Sequence, residues 1–426
     1  MSRVSASNPR PVATIAEGRP LPEGKLSAVG SVQPSVDAWS ASLALLSEQL
    51  AKTAVLRDQS GGSPLPERQL LRESGLLNLA IPRQFGGQAA SWPQILGLVR
   101  KLAEVDSSLA HLFAFQHLQV ISVLLFGTPQ QHARLLRESA ERNWFWGNAT
   151  NGRDTRISLR ETASGLRLHG VKTFCSGAPD SDALLVSAPR HDNPVDRVFI
   201  ALPSDRRGIT INADWDNLGQ RQTDSVSVEF DQVEVSPEEI LGDPLERAAF
   251  LGTARSTMRA NFSQSLLTEL YVGNARGALD QARRYVLEQG RAWPASGAER
   301  AAEDPFTQQR FGSLWVKLRG AEALADHAAQ AVQTAWERGA ELSFEQRGEV
   351  AVEVATGRAV AAQAALEITS QIFETIGASG TARRHGFDRF WRNVRVHTLH
   401  DPIDYKLRDL GRWFLDGEPP TPSLYS

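Results

Sequence analysis

Between Trp144 and Val235 the chain passes through six short segments rich in β-branched and aromatic residues, with turn material and no helical pattern between them. They are NWFWGNAT, RISLRET, LRLHGVKTF, DALLVSAPR, RVFIALPS and DSVSVEFDQVEV, parted by stretches such as ASG, HDNP and SDRRG. Strands that follow one another without crossover helices predict an antiparallel sheet or small barrel. RETASGLRLHG predicts a hairpin, because alternation runs on either side of Ala163-Ser164-Gly165.

On both sides of this block the apolar period is helical. Before it, DAWSASLALLSEQLAKTAVLRD and PQILGLVRKLAEVDSSLAHLFAFQHLQVISVLLFG place apolar residues at three-four spacing, the second as two buried helices with a short break. After it, four long helices are expected over 254–290, 306–339, 344–376 and 387–415, with Gly290, Gly339 and Gly377 at C-cap positions. Long antiparallel helices joined by short loops make a bundle. The fold class is therefore α+β: an α-helical domain over 36–143, a β-barrel or sheet domain over 144–252 and a helical bundle over 253–426. The Pro-, Ser- and Gly-containing arm 1–35 is expected to be disordered.

Composition narrows the function classes. With 46 Lys+Arg against 49 Asp+Glu, no bulk charge points to nucleic acid or an anionic membrane. The run HLFAFQHLQVISVLLFG carries two His and two Gln and falls short of a membrane span, and the first residues hold no apolar signal core. One cysteine, Cys175, excludes an internal disulfide and suits a reducing, cytoplasmic setting. His397, His400 and Asp401 have the residue types of a metal triad. On a helix, however, adjacent side chains at 400 and 401 point apart, so no metal is expected.

The order of helices, strands and bundle, with LGQRQTDSVSVEFDQVEVSPEEILG at 218–242, resembles the acyl-CoA dehydrogenase superfamily. HLFAFQHL, NWFWGNAT, KTFCSGAPDSD, DWDNLGQRQTDS, EDPFTQQRFG, GFDRFWRNVRVHTLHDP and the ending PSLYS resemble its branch of flavin-dependent monooxygenases typified by dibenzothiophene monooxygenase. That resemblance implies a two-component enzyme. A separate flavin reductase supplies reduced FMN, which reacts with O2 to a C4a-hydroperoxide and passes one oxygen to a small apolar substrate. In sulfur-oxidising members a thioether becomes a sulfoxide and then a sulfone. Many dehydrogenase relatives carry a Tyr-Glu-Gly-Thr base where VHTLHDP stands here, so an acyl-CoA dehydrogenase is the second reading and an amine N-hydroxylase the third.

The same resemblance assigns residues. His400 takes the place of the histidine beside the reactive flavin edge, where a donor that titrates near neutrality suits oxygen transfer. His111 aligns with a second site histidine, and His397 would share a helix face with His400. Phe115 stands where sulfur-oxidising relatives often have tyrosine, making the pocket more apolar; Phe174 lies beside it in the expected substrate pocket. Asn148 and Trp215 are expected along the flavin, and Ser176 near its N5. Arg291 matches an arginine that reaches a neighbouring subunit's cofactor phosphate in a homotetramer, with Phe306 packing near the flavin. Ser379 and Gly380 belong to a Gly-rich turn at the phosphate or ribityl chain. Relatives have arginine at the position of Ser379; Arg383 or Arg384 is placed to replace that charge. Cys175 is expected to be a packing residue, since no activating His or Lys accompanies it.

Overall fold

The computed structural model describes residues 36–190, 193–242 and 252–426. The arm 1–35 lies outside them. Helices α1 (Val36–Ala51), α2 (Ala54–Ser60), α3 (Leu65–Glu73), α4 (Trp92–Ala103) and α5 (Ser107–Phe126) come first, followed by the short turns α6 (Pro129–Gln131) and α7 (Arg137–Glu141). Asp106 stops the run between α4 and α5 and caps α5, accepting from the backbone N–H of Ser108 and Leu109 at 3.0 Å each. Its other oxygen bonds Arg57 Nη1 at 2.7 Å. By length and composition α5 would suffice for a membrane span, longer than the sequence pattern suggested. Here 89% of its apolar window is buried inside the protein. Helices apolar all round behave as core.

Seven strands form one sheet: β1 (Trp146–Ala149), β2 (Ile157–Thr162), β3 (Gly165–Cys175), β4 (Ala183–Arg190), β5 (Asn193–Pro203), β6 (Ile209–Ile211) and β7 (Val226–Val235). The order is β1-β4-β2-β3-β7-β6, with β5 on β4. The expected hairpin is β2–β3, closing at Thr162↔Gly165. The sheet is mixed rather than antiparallel, because β1 and β2 both run parallel to β4. All of β1, and β4 up to Pro189, are buried, which is how strands covered on both faces behave. One layer of the sheet, with Trp146, Leu185 and Phe199, packs on Val120, Val123 and Phe126 of α5.

The C-terminal part contains α8 (Arg259–Gln289), α9 (Pro305–Glu337), α10 (Phe344–Gln371), α11 (Phe373–Ile376), α12 (Asp388–Thr398) and α13 (Ile403–Asp416). Gly290 and Gly377 follow helix ends as expected, and Gly339 takes a positive φ of 58° after α9. α8 lies against α4 at two glycines: a Cβ on Gly273 would stand 2.1 Å from the Arg100 carbonyl oxygen, and one on Gly277 2.0 Å from that of Glu104. The expected last helix is broken at 399–402, because Pro402 is the N-cap of a new helix rather than an exit from the old one.

Candidate active site

The face of α5 that repeats every four residues carries His111, Phe115 and Gln119, and it looks into the seam between the sheet and α12. His111 stacks on Phe115 with ring centroids 4.0 Å apart and meets His397 of α12 at 4.9 Å. Gln220 Nε2 approaches His397 Nδ1 at 3.3 Å, and its backbone carbonyl accepts from Trp215 Nε1 at 2.8 Å. From the same carbonyl a hydroxyl chain runs through Thr223 (3.0 Å) and Ser225 (2.7 Å) to Ser176 Oγ (2.8 Å). The Ser176 carbonyl accepts from the Asn148 N–H at 2.9 Å, and Asn148 Oδ1 accepts from Gln119 Nε2 at 3.2 Å, which closes the ring. Phe174 adds an exposed aromatic face, edge-on to Trp215 at 6.0 Å and with a strained φ of 58°.

Why these pieces meet is legible in the backbone. The 212–225 loop is drawn onto α12 because Gly219 has no side chain; a Cβ there would stand 2.3 Å from the Arg392 carbonyl. Asn393 Oδ1 accepts from the Gln220 N–H at 2.7 Å, and Gln220 Nε2 also reaches Ser107 Oγ at 2.7 Å.

Burial sets the protonation states. His111 is pushed down to about 3 by burial and by the nearby His400, so it is neutral at physiological pH. His397 is held well below the usual imidazole range by burial, with His111 and His400 adding to it. Cys175 is buried, and burial raises its thiol to about 12, consistent with packing.

His400 differs from the expectation of a shared helical face. α12 ends at Thr398, so His397 points into the core while His400 lies past the helix end with 42% of its side chain exposed. Nor do 400 and 401 point apart: His400 Nδ1 is 3.2 Å from Asp401 Oδ1. Asp401 is itself buried between Arg358 and Lys406 Nζ (3.1 Å); against the upward push of burial, the hydrogen bond with His400 and then these two cations keep its carboxyl well below the ordinary range. On its other side His400 lines a groove of about 640 Å³ under the C-terminal tail, with the Tyr425 ring 5.7 Å away.

Arg291, Phe306, Ser379 and Gly380 do not join the ring. Tyr271 of α8 donates to the His397 carbonyl at 3.0 Å, and α8 ends 18 residues later, about 27 Å along the axis. Arg291 lies beyond that end; it, Phe306 and Ser379 are exposed, while Gly380 is buried. Arg383 and Arg384 lie in the short turn that follows Ser379 and Gly380.

Several residues of the site carried no sequence signal that singled them out: Gln119, Thr150, Gln220 and Arg259. Thr150 Oγ1 donates to Asn148 Oδ1 at 2.7 Å and accepts from Arg259 Nη2 at 3.0 Å. Unpartnered acceptors remain on the buried ring, at Gln119 Oε1 and Gln220 Oε1, together with both nitrogens of His111. Such a set matches the edge of a flat heteroaromatic ring whose donors and acceptors alternate, with Trp215 and Phe174 as apolar neighbours. The residues present therefore fit an isoalloxazine.

Comparison with known proteins agrees. Residues 41–143 match the N-terminal domain family of acyl-CoA dehydrogenases and residues 266–405 the C-terminal domain family. A probable FMNH2-dependent monooxygenase of Pseudomonas putida is 42% identical over 381 residues, covering 89% of this chain and 95% of that protein. The methanesulfinate monooxygenase of Pseudomonas fluorescens superposes with a TM-score of 0.87 at 42% identity, over 91% of this chain and 99% of that one. The dibenzothiophene monooxygenase of Paenibacillus sp. A11-2, solved with FMN and indole, gives 0.87 at 40% identity over 92% and 100%. The chain belongs to the acyl-CoA dehydrogenase family, in its flavin-dependent monooxygenase branch.

Proposed function

We propose that the chain is an FMNH2-dependent monooxygenase that places one oxygen atom of O2 on sulfur in a small, largely apolar organosulfur substrate, as in the thioether, sulfoxide and sulfone series. The observation that carries this reading is the closed ring from His111 through His397, Gln220, Ser176 and Asn148 back to Gln119. When bound, reduced FMN supplies the electrons that activate O2, one atom going to substrate and the other to water.

The protein's own residues do the rest. Ser176, Asn148 and Trp215 hold the ring edge, and the Phe115–His111 stack forms an apolar wall that excludes water. His111, neutral, brings no charge to that wall. Asp401 accepts from His400 Nδ1–H and so fixes the imidazole, leaving Nε2 to exchange a proton with the reactants. His397, neutral and wedged between His111 and Gln220, keeps the wall in place.

The finer points of the reading have their own support. A separate reductase fits a sequence without a Gly-x-Gly-x-x-Gly nucleotide turn. A homotetramer fits the exposed apolar residues Trp293, Phe306, Trp315 and Val316, before and along the first half of α9, and Trp413, Phe414 and Leu415 at the end of α13. Arg291, Phe306, Ser379 and Gly380 then act on the cofactor across subunits, and the three regions 36–143, 144–252 and 253–426 divide the work. The setting is cytoplasmic.

The test supplies FMNH2 from a flavin reductase with NADH and offers thioethers, sulfoxides, sulfinates and amines under 18O2. Labelled oxygen on a sulfur product is expected; hydrogen peroxide with no oxygenated product from any substrate refutes the reading. His400→Ala should keep FMN affinity yet lose product and release peroxide instead, and unchanged coupling counts against its role.

A further inference from the structure

Gln220 is buried, and its main chain is held at both ends. Its φ of 54° lies in the left-handed region, which residues with a side chain rarely adopt. Its N–H donates to Asn393 Oδ1 at 2.7 Å, and its carbonyl accepts from Trp215 Nε1 at 2.8 Å and from Thr223 Oγ1 at 3.0 Å. A conformation of this kind persists only where its surroundings over-determine it, so the side chain starts from a fixed point. The amide nitrogen Nε2 then meets three groups: Ser107 Oγ at 2.7 Å, the Asn393 carbonyl at 3.3 Å and His397 Nδ1 at 3.3 Å.

An amide nitrogen donates and offers no lone pair, so every atom it meets must accept. A carbonyl and a hydroxyl oxygen do so in any state, whereas Nδ1 of His397 does so only without a proton. Turning the amide over would lay its oxygen on the Asn393 carbonyl. It would also leave two N–H donors unpartnered in place of the single oxygen, Oε1, that is unpartnered now. His397 is neutral, since burial and then His111, His400 and Arg358 all oppose a second proton. Its one proton therefore sits on Nε2. Gln220 closes the Nδ1 side of the ring, and the ring faces His111 at 4.9 Å, both of whose nitrogens are unpartnered.

We propose that Gln220 is a positioning residue for oxygen transfer: its amide holds His397 in the Nε2–H form, so that the wall shared with His111 offers the reactants a hydrogen-bond donor that carries no charge. Which nitrogen of an imidazole keeps the proton is set by the bond the other nitrogen makes. Asp401 imposes the opposite form, Nδ1–H, on His400. One imidazole is then a donor and the other an acceptor at the same ring position, a division that two unrestrained histidines would not keep. The role in oxygen transfer rests on the monooxygenase reading and deepens it; the place of the proton does not depend on it.

Solid-state nitrogen NMR on the sedimented full-length protein, labelled with ring-15N-histidine and free of flavin, is the first test. The His397 signals are found by difference from His397→Asn. The wild type should show a bare Nδ1 and a protonated Nε2, and so should Ser107→Ala, which removes another partner of the same amide. Gln220→Met keeps the length and loses the donor; it should show a mixture of both forms. A protonated Nδ1 in the wild type overturns the proposal, and so does an unchanged spectrum in Gln220→Met. Oxidised FMN should raise the melting temperature of wild type and Gln220→Met alike. Loss of that protection in the variant would mean that Gln220 only braces the 212–225 loop, which also overturns the proposal. In turnover with a flavin reductase, NADH and methyl phenyl sulfide, Gln220→Met should lower kcat at least about 10-fold, with KM within about twofold and peroxide released in place of product. An unchanged kcat overturns the role in oxygen transfer. Absence of product from the wild type refutes the monooxygenase reading instead, and the nitrogen spectrum, which needs no turnover, then decides for or against Gln220 by itself.

Discussion

His117 is wholly buried on α5, edge-on to Phe113 at 4.7 Å, and neither ring nitrogen has a hydrogen-bond partner. Burial alone pushes its pKa down to about 3. Because the folded value lies below the unfolded one of about 6.5, the unfolded chain takes up the proton first as pH falls. The associated stability is complete above pH 6.5 and declines toward the folded value at ~1.4 kcal/mol per pH unit. At pH 7.5 the deficit is below ~0.1 kcal/mol; at pH 5 it reaches ~2 kcal/mol. His117→Leu keeps the apolar contacts and cannot titrate. With an unfolding entropy of ~0.9 kcal/mol/K for 426 residues, the variant should gain about 2 °C in Tm relative to the wild type between pH 7.5 and pH 5. The difference between the two proteins is the relevant quantity, because buried carboxyls such as Asp224 and Glu269, raised by burial, titrate with the opposite sign in both. Equal acid loss in wild type and variant would refute the reasoning, since it would mean that this imidazole reaches water in the folded state.

Asp401→Asn should destabilise the protein by ~3–5 kcal/mol, because it leaves Arg358 and Lys406 buried without their shared carboxylate. In urea titrations the triple variant Arg358→Met/Asp401→Leu/Lys406→Met should recover much of that loss, and a neutral single variant would contradict the account. Cys175 should resist a thiol reagent at pH 8 until the protein is unfolded; rapid labelling of the native protein would show that its burial is wrong. Gly277→Ala gains about 1 kcal/mol of helix propensity but forces a Cβ onto the Glu104 carbonyl. A net loss of ~2 kcal/mol or more is therefore expected, and a stabilised variant would show that α4 and α8 part easily.

How far the sequence leads depends on whether a signal is local. The hairpin β2–β3 is legible because its two strands are separated only by a turn. The parallel pairing of β1 with β4 is not: Trp146↔Ala183 joins positions 37 residues apart, and a fully buried strand has no alternation to orient it. The break at 399–402 hides for a related reason, since Pro402 suits a helix start as well as a helix end and the flanks keep their apolar period. Among site residues, His111, Asn148, Ser176, Trp215 and His397 come together as their motifs suggest. Gln220 stays invisible, because its place beside His397 depends on Asn393, 173 positions along the chain, which holds its backbone N–H.

The helix that carries His111, Phe115 and Gln119 turns almost no side to water, and its first turn is pinned through the Asp106 cap to Arg57. Pocket wall and structural beam are one object. Any exchange on that wall is felt at once by the sheet on one side and the bundle on the other, so the tolerable changes there are few and volume-matched. Diversification of what the enzyme accepts therefore falls to its looser borders, the 212–225 loop with exposed Leu218 and the tail that roofs the groove at Tyr425.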